Sequence, residues 1–118
     1  MNLQIRPNTL NGTTTKIKTG CGNLYITVNI HENKIIEIFG RLGKSGGCAQ
    51  CQINSICMLI SGTLRSGGDI NDIIKRLKGQ RCHSPYRVGE EVVLSCSDAI
   101  AIVLENELTL LKEASNGG

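Results

Sequence analysis

The stretch Leu24-Tyr25-Ile26-Thr27-Val28-Asn29-Ile30, followed by His31-Glu32-Asn33 and then Ile35-Ile36-Glu37-Ile38-Phe39, decides the fold class. Leu24, Ile26, Val28 and Ile30 alternate with Tyr25, Thr27 and Asn29, the period of a strand buried on one face. Asn33 suits a left-handed turn, and the return strand sets Glu37 on one side and Ile36 and Ile38 on the other. These residues predict a β-hairpin. Helical periods follow it. Ile53, Ile56, Cys57, Ile60 and Leu64 recur at three and four residues up to Gly67-Gly68, which predicts a long helix. Asp69 can cap a shorter helix bearing Ile70, Ile73, Ile74 and Leu77, with Gly79 placed to end it. Residues 80–89 read as a loop and residues 91–94 as a short extended piece. Ser95 and Asp98 then form a capping-box pattern ahead of Ile100, Val103, Leu104, Leu108 and Leu111.

Working outward, residues 1–15 show no sustained period and read as a loose arm able to add an edge strand, and residues 114–118 read as a frayed tail. The prediction is one α+β domain over residues 1–118: a β-hairpin or small antiparallel sheet packed against two to three α-helices. A chain of 118 residues has room for one core. With one Phe, two Tyr and no Trp, that core is aliphatic, and aromatic platforms for single-stranded nucleic acid have few candidates. No apolar run is long enough to span a bilayer and residues 1–10 lack a signal-peptide core, so the expectation is a cytoplasmic protein without membrane contact. A sheet face and edges left open by so few elements predict a homo-oligomer, most simply a dimer.

Four segments carry a resemblance: Thr19-Gly20-Cys21-Gly22, Gly43-Lys44-Ser45-Gly46-Gly47-Cys48-Ala49, Leu77-Lys78-Gly79-Gln80-Arg81-Cys82-His83-Ser84-Pro85, and Leu94-Ser95-Cys96-Ser97-Asp98-Ala99-Ile100-Ala101. In order and spacing they resemble the TSCPD domain found at the C-terminal end of vitamin B12-dependent ribonucleotide reductases. His83 and Ser97 stand where the family pattern usually has proline. The resemblance implies a connection with deoxyribonucleotide synthesis. In the reductases the radical chemistry and the cobalamin site belong to a separate, larger catalytic domain, so it implies neither activity nor cobalamin on this chain.

Two chemistries are open to these residues. Cys21, Cys48, Cys82 and Cys96 supply four soft ligands, enough for a closed, structural zinc site. They are scattered rather than paired, however, and separately buried thiols or redox chemistry remain alternatives. The one C-x-x-C, Cys48-Ala49-Gln50-Cys51, is a candidate for thiol exchange, or two cysteines on one helix face. Alternatively, Gly43, Lys44, Ser45, Gly46 and Gly47 run into a helix N-terminus, a natural anion site to which Arg41 and Arg81 add charge. Ile38 stands where a P-loop needs its opening glycine, so nucleotide hydrolysis is not supported.

The leading expectation is a non-catalytic binding module for a nucleotide or another phosphate-bearing small molecule. The second is a zinc- or thiol-stabilised accessory domain docking on ribonucleotide reductase or on nucleic acid through the basic run Lys75, Arg76, Lys78 and Arg81. A protein that sequesters a nucleotide signal comes third.

Overall fold

The computed structural model describes residues 5–43 and 47–117. In chain order it has strands β1 (Asn11–Thr19), β2 (Gly22–His31) and β3 (Lys34–Leu42), helices α1 (Gly47–Arg65) and α2 (Ile70–Leu77), strands β4 (Tyr86–Val88) and β5 (Glu91–Val93), and helix α3 (Cys96–Gly117). The α+β architecture matches the sequence expectation. Strands β1, β2 and β3 form an antiparallel sheet in that order, and β4 and β5 form a separate hairpin.

The turn between β2 and β3 has two residues, Glu32 at φ 51° and Asn33 at φ 63°. Positive φ at both positions gives the turn a twist that matches the flanking strands. A bulge follows, since Asn29 pairs with Glu37 while Ile30 pairs with Ile35. The extra residue on β3 breaks strict alternation, and Ile35, Ile36, Glu37 and Ile38 are all buried. Glu37, which the sequence sets apart from Ile36 and Ile38, is thus buried as they are. Arg6 covers it, Nε donating to Oε1 at 2.7 Å and a second guanidinium nitrogen to Oε2 at 3.0 Å, while Asn29 Nδ2 donates to Oε2 at 2.6 Å.

Three further differences concern boundaries. β1 takes residues 11–15 out of the expected loose arm, because each pairs across to β2 from Asn11↔Ile30 to Thr15↔Ile26. β4 forms inside the expected loop, with Gly89 at φ 61° making its return to β5 possible. α3 continues through Gly117, past the point where fraying was expected.

The helices close one face and one edge of the sheet. Helix α1 lies along β3, where Ser61 Oγ accepts from Ile38 N–H at 3.0 Å and Gln50 Oε1 accepts from Leu42 N–H at 2.8 Å. Gln50 Nε2 also donates to the Gly40 carbonyl at 3.1 Å. Side chains of a helix thus satisfy the outer edge of β3, which would otherwise offer a pairing template. Gly40 permits the approach, since a Cβ there would press on Ile53 and Cys57. Helix α1 ends in a Schellman motif, with Gly68 N–H donating to the Thr63 carbonyl at 2.8 Å and Gly67 at φ 92°. Leu24, Ile26, Val28 and Ile38 from the sheet meet Ile53, Cys57 and Ile60 of α1 and Ala99, Ile100, Val103 and Leu104 of α3 in one core. No helix among the described residues is long and apolar enough to cross a membrane.

Candidate functional site at the cysteine-bearing end

The two-residue turn from β1 to β2 holds Gly20 and Cys21. Thr19, nearly buried, fixes it: its hydroxyl donates to the Gly22 carbonyl at 2.8 Å and accepts from Cys21 N–H at 3.1 Å. The same oxygen lies 3.8 Å from Cys96 Sγ, a donor from the first turn of α3. One hydroxyl therefore ties the hairpin turn to a helix start distant in sequence.

The loop before β4 is drawn to the same place by the residues that start α3. Ser95 Oγ accepts from Asp98 N–H at 3.0 Å and donates to the Gln80 carbonyl at 2.5 Å. Asp98 does more than the capping box predicts: Oδ2 accepts from Leu94 N–H at 3.0 Å and Oδ1 from Gly79 N–H at 2.8 Å. It thus joins the end of α2 to the start of α3. Cys82 N–H donates to the Leu94 carbonyl at 3.1 Å, placing Cys82 beside β5. Ser84 then meets the hairpin turn, and a Cβ on Gly20 would collide with the Ser84 carbonyl. Only glycine leaves room for this approach.

Cys21, Cys82 and Cys96 are in consequence neighbours. Burial pushes the Cys96 thiol above its ordinary range, the Thr19 hydrogen bond opposes this, and the nearby Cys21 and Cys82 thiols push it further up. Cys82 Sγ accepts from Ser84 N–H at 3.3 Å. Cys48 is exposed in the first turn of α1, which opens at Gly47, and Gly43 N–H donates to the Asn23 carbonyl at the end of the sheet where Cys21 turns. The structure brings Cys21 and Cys82 near Cys96, while Cys48 lies on α1, whose Gln50 reaches Leu42 at the end of β3 paired with Leu24. Among the described residues, no three His, Cys, Asp or Glu side chains are already arranged to hold a metal ion.

The expected anion site is described only in part. Lys44, Ser45 and Gly46 lie outside the described residues; Gly43 and Gly47 flank them, Gly47 at φ 35°. Arg41 projects from the open sheet face with its guanidinium 5.4 Å from the centroid of the Tyr25 ring. Arg81 belongs instead to the loop beside Cys82. Within the basic run, Arg76 bonds Asp72 at 2.9 Å and Lys78 bonds Glu105 at 2.9 Å, as on a solvated face. Cys51 is exposed and Cys57 buried in the core, its thiol pushed up to about 11 by burial. A cavity of about 550 Å³ floored by Ile35, Ile36, Leu64, Ile70, Leu108 and Leu111 opens beside the β2–β3 turn, at the other end of the sheet.

Sequence reading placed Thr19 and Gly20 in a segment of the resemblance but missed them as organising residues, since no local pattern says which distant group either will meet. It also missed Arg6 as the cover for Glu37, because an aperiodic segment gives no hint of where its charge lands.

No curated protein and no solved structure matches the chain. A family model described as the TSCPD domain matches residues 1–108 of the 118. All four segments noted in the sequence fall inside that span, and the two containing Cys82 and Cys96 meet the Cys21 turn at one end of the molecule. The chain belongs to the TSCPD domain family, a family associated with ribonucleotide reductases.

Proposed function

We propose that this chain is a non-catalytic accessory module whose working surface is its cysteine-bearing end, held in shape by a zinc ion and docking on a ribonucleotide reductase. The observation that carries the proposal is the meeting of Cys21, Cys82 and Cys96, brought from three separate segments by Thr19, Ser95 and Asp98. A fold that needed only small apolar side chains there would gain nothing from setting thiols beside one another, where ionising one penalises the others. Soft ligands suit zinc, and Cys48 from α1 is the fourth donor. Such an ion would draw the hairpin turn, the 80–85 loop and the starts of α1 and α3 together. With all four positions filled by protein, it leaves no open position for chemistry.

Native mass spectrometry of protein purified without chelator tests this. The expected result is one zinc ion per chain, lost in Cys96→Ser and Cys82→Ser and retained in Cys51→Ser. A metal-free chain, or zinc retained in both of the first two variants, would contradict it.

The phosphate-binding reading has one specific observation in its favour: a depression of about 440 Å³ lined by Gly40, Arg41, Leu42, Gly43, Gln50 and Asn54 adjoins the expected anion loop. Lys44→Ala separates the two readings. Loss of small-ligand binding with zinc content unchanged supports a ligand at this loop, and no effect on either leaves the loop a strand-to-helix turn.

A further inference from the structure

One face of the three-stranded sheet is packed against the helices; the other carries a row of side chains that the fold does not use. In register across the strands stand Lys16, Tyr25 and Arg41, and beside them Thr14, Thr27 and Phe39. Lys18 follows on β1, opposite Asn23. Two of the chain's three aromatic residues thus sit on one open face, on adjacent strands and offset diagonally, within reach of each other's ligands. Phe39 is 53% exposed, unusual for the only phenylalanine of a chain whose core is aliphatic. A depression of about 360 Å³ between the rings is lined by Thr14, Tyr25, Thr27, Phe39, Gly40 and Arg41.

Among the described residues, the exposed charge on this face has one sign. Its acid, Glu37, is buried and bonded to Arg6 by two hydrogen bonds, so the pair adds no net charge. Lys16, Lys18 and Arg41 remain exposed around the rings. Arg41 is already stacked over Tyr25, the arrangement in which a guanidinium plane extends an aromatic surface. The Thr14 and Thr27 hydroxyls lie 2.8 Å apart between β1 and β2 and supply donors and acceptors at the floor of the depression.

We infer that this face binds single-stranded nucleic acid, with a base stacked on Phe39, a neighbouring base on Tyr25 and Arg41, and the backbone phosphates met by Lys16 and Lys18. Exposed rings on a sheet with cations at its margin match a flexible strand, whose bases are free to turn outward; a duplex hides the base faces. A protein partner would use the aromatic surface but gives no reason for an uncompensated row of cations. The scarcity of aromatic residues in the sequence argues against such a platform only until the fold places two of them together.

The test is fluorescence anisotropy of the full chain with a labelled single-stranded oligonucleotide of about ten nucleotides, a length within the usual site sizes. Phe39→Ala, Arg41→Ala and Met58→Ala, the last an exposed residue on α1, are compared after circular dichroism shows unchanged melting. The expected results are on the order of tenfold weaker binding for Phe39→Ala and Arg41→Ala with no change for Met58→Ala. Two lysines on the phosphates predict a log–log salt slope of about −1.4. Absence of binding, equal competition by a duplex of the same sequence, or insensitivity to Phe39→Ala would overturn the inference. A mononucleotide that competes as well as the oligonucleotide would also overturn it, assigning the rings to a single nucleotide rather than a strand.

Discussion

Asp98 and Gly20 show how single residues fix the cysteine-bearing end. Asp98 is 5% exposed and accepts backbone N–H groups from both Gly79 and Leu94. Asp98→Ala leaves two donors without partners, and the expected cost is about 2–4 kcal/mol, read as a lower chemical-denaturation midpoint. Gly20→Ala is expected to act more narrowly: the sheet survives, but the hairpin turn moves off Ser84 and zinc binding weakens on the order of tenfold or more. Competition with a chromophoric chelator measures that loss, and unaltered affinity would show that the contact does not shape the site. Glu37 has a pH signature of its own. Hydrogen bonding from Arg6 first, opposed by burial and aided by Asn29, holds its carboxyl below the ordinary 4.5. Its contribution to stability is therefore complete above that value and is lost as pH falls through the lowered one. Glu37→Gln should flatten the acid limb of a stability–pH curve, and an unchanged limb would contradict the assignment.

Among the elements, α1 shows both what periodicity reveals and what it conceals. Ile53, Cys57 and Ile60 are buried as their spacing implies. That spacing says nothing of Gln50 and Ser61, polar residues whose purpose appears only when the helix lies along the edge of β3. β4 was hidden for a related reason: three residues whose strand identity depends on pairing with β5 have too little length for a period. Cysteine reactivity separates the faces of α1. Cys51 is exposed whereas Cys57 is 3% exposed with a thiol raised to about 11. Brief treatment of native protein with iodoacetamide at neutral pH should label Cys51 and spare Cys57 until denaturant is added, as peptide mass mapping would show. Equal labelling of the two would mean that α1 does not dock as described.

At the scale of the whole molecule, the α+β class, the β2–β3 hairpin and all three helices were legible because each repeats its own pattern over enough residues. The candidate ligands Cys21, Cys82 and Cys96 were legible as residues, but their meeting was not. It depends on Thr19, Ser95 and Asp98 bridging segments far apart in the chain, and no local pattern encodes which distant carbonyl a serine will reach. The same holds for the open sheet face, where Tyr25 and Phe39 look isolated in sequence and become neighbours only through strand register. The molecule thus has two separate regions of unexpended chemistry, a cysteine-bearing end and an aromatic, basic sheet face.

The most direct test of the cysteine end is X-ray absorption at the zinc edge on protein as purified. The account predicts a shell of four sulfur atoms at about 2.3 Å, falling to three sulfurs and a lighter atom in Cys48→Ser. A shell dominated by nitrogen or oxygen, or one unchanged by Cys48→Ser, would contradict the assignment of Cys21, Cys48, Cys82 and Cys96 to a single site.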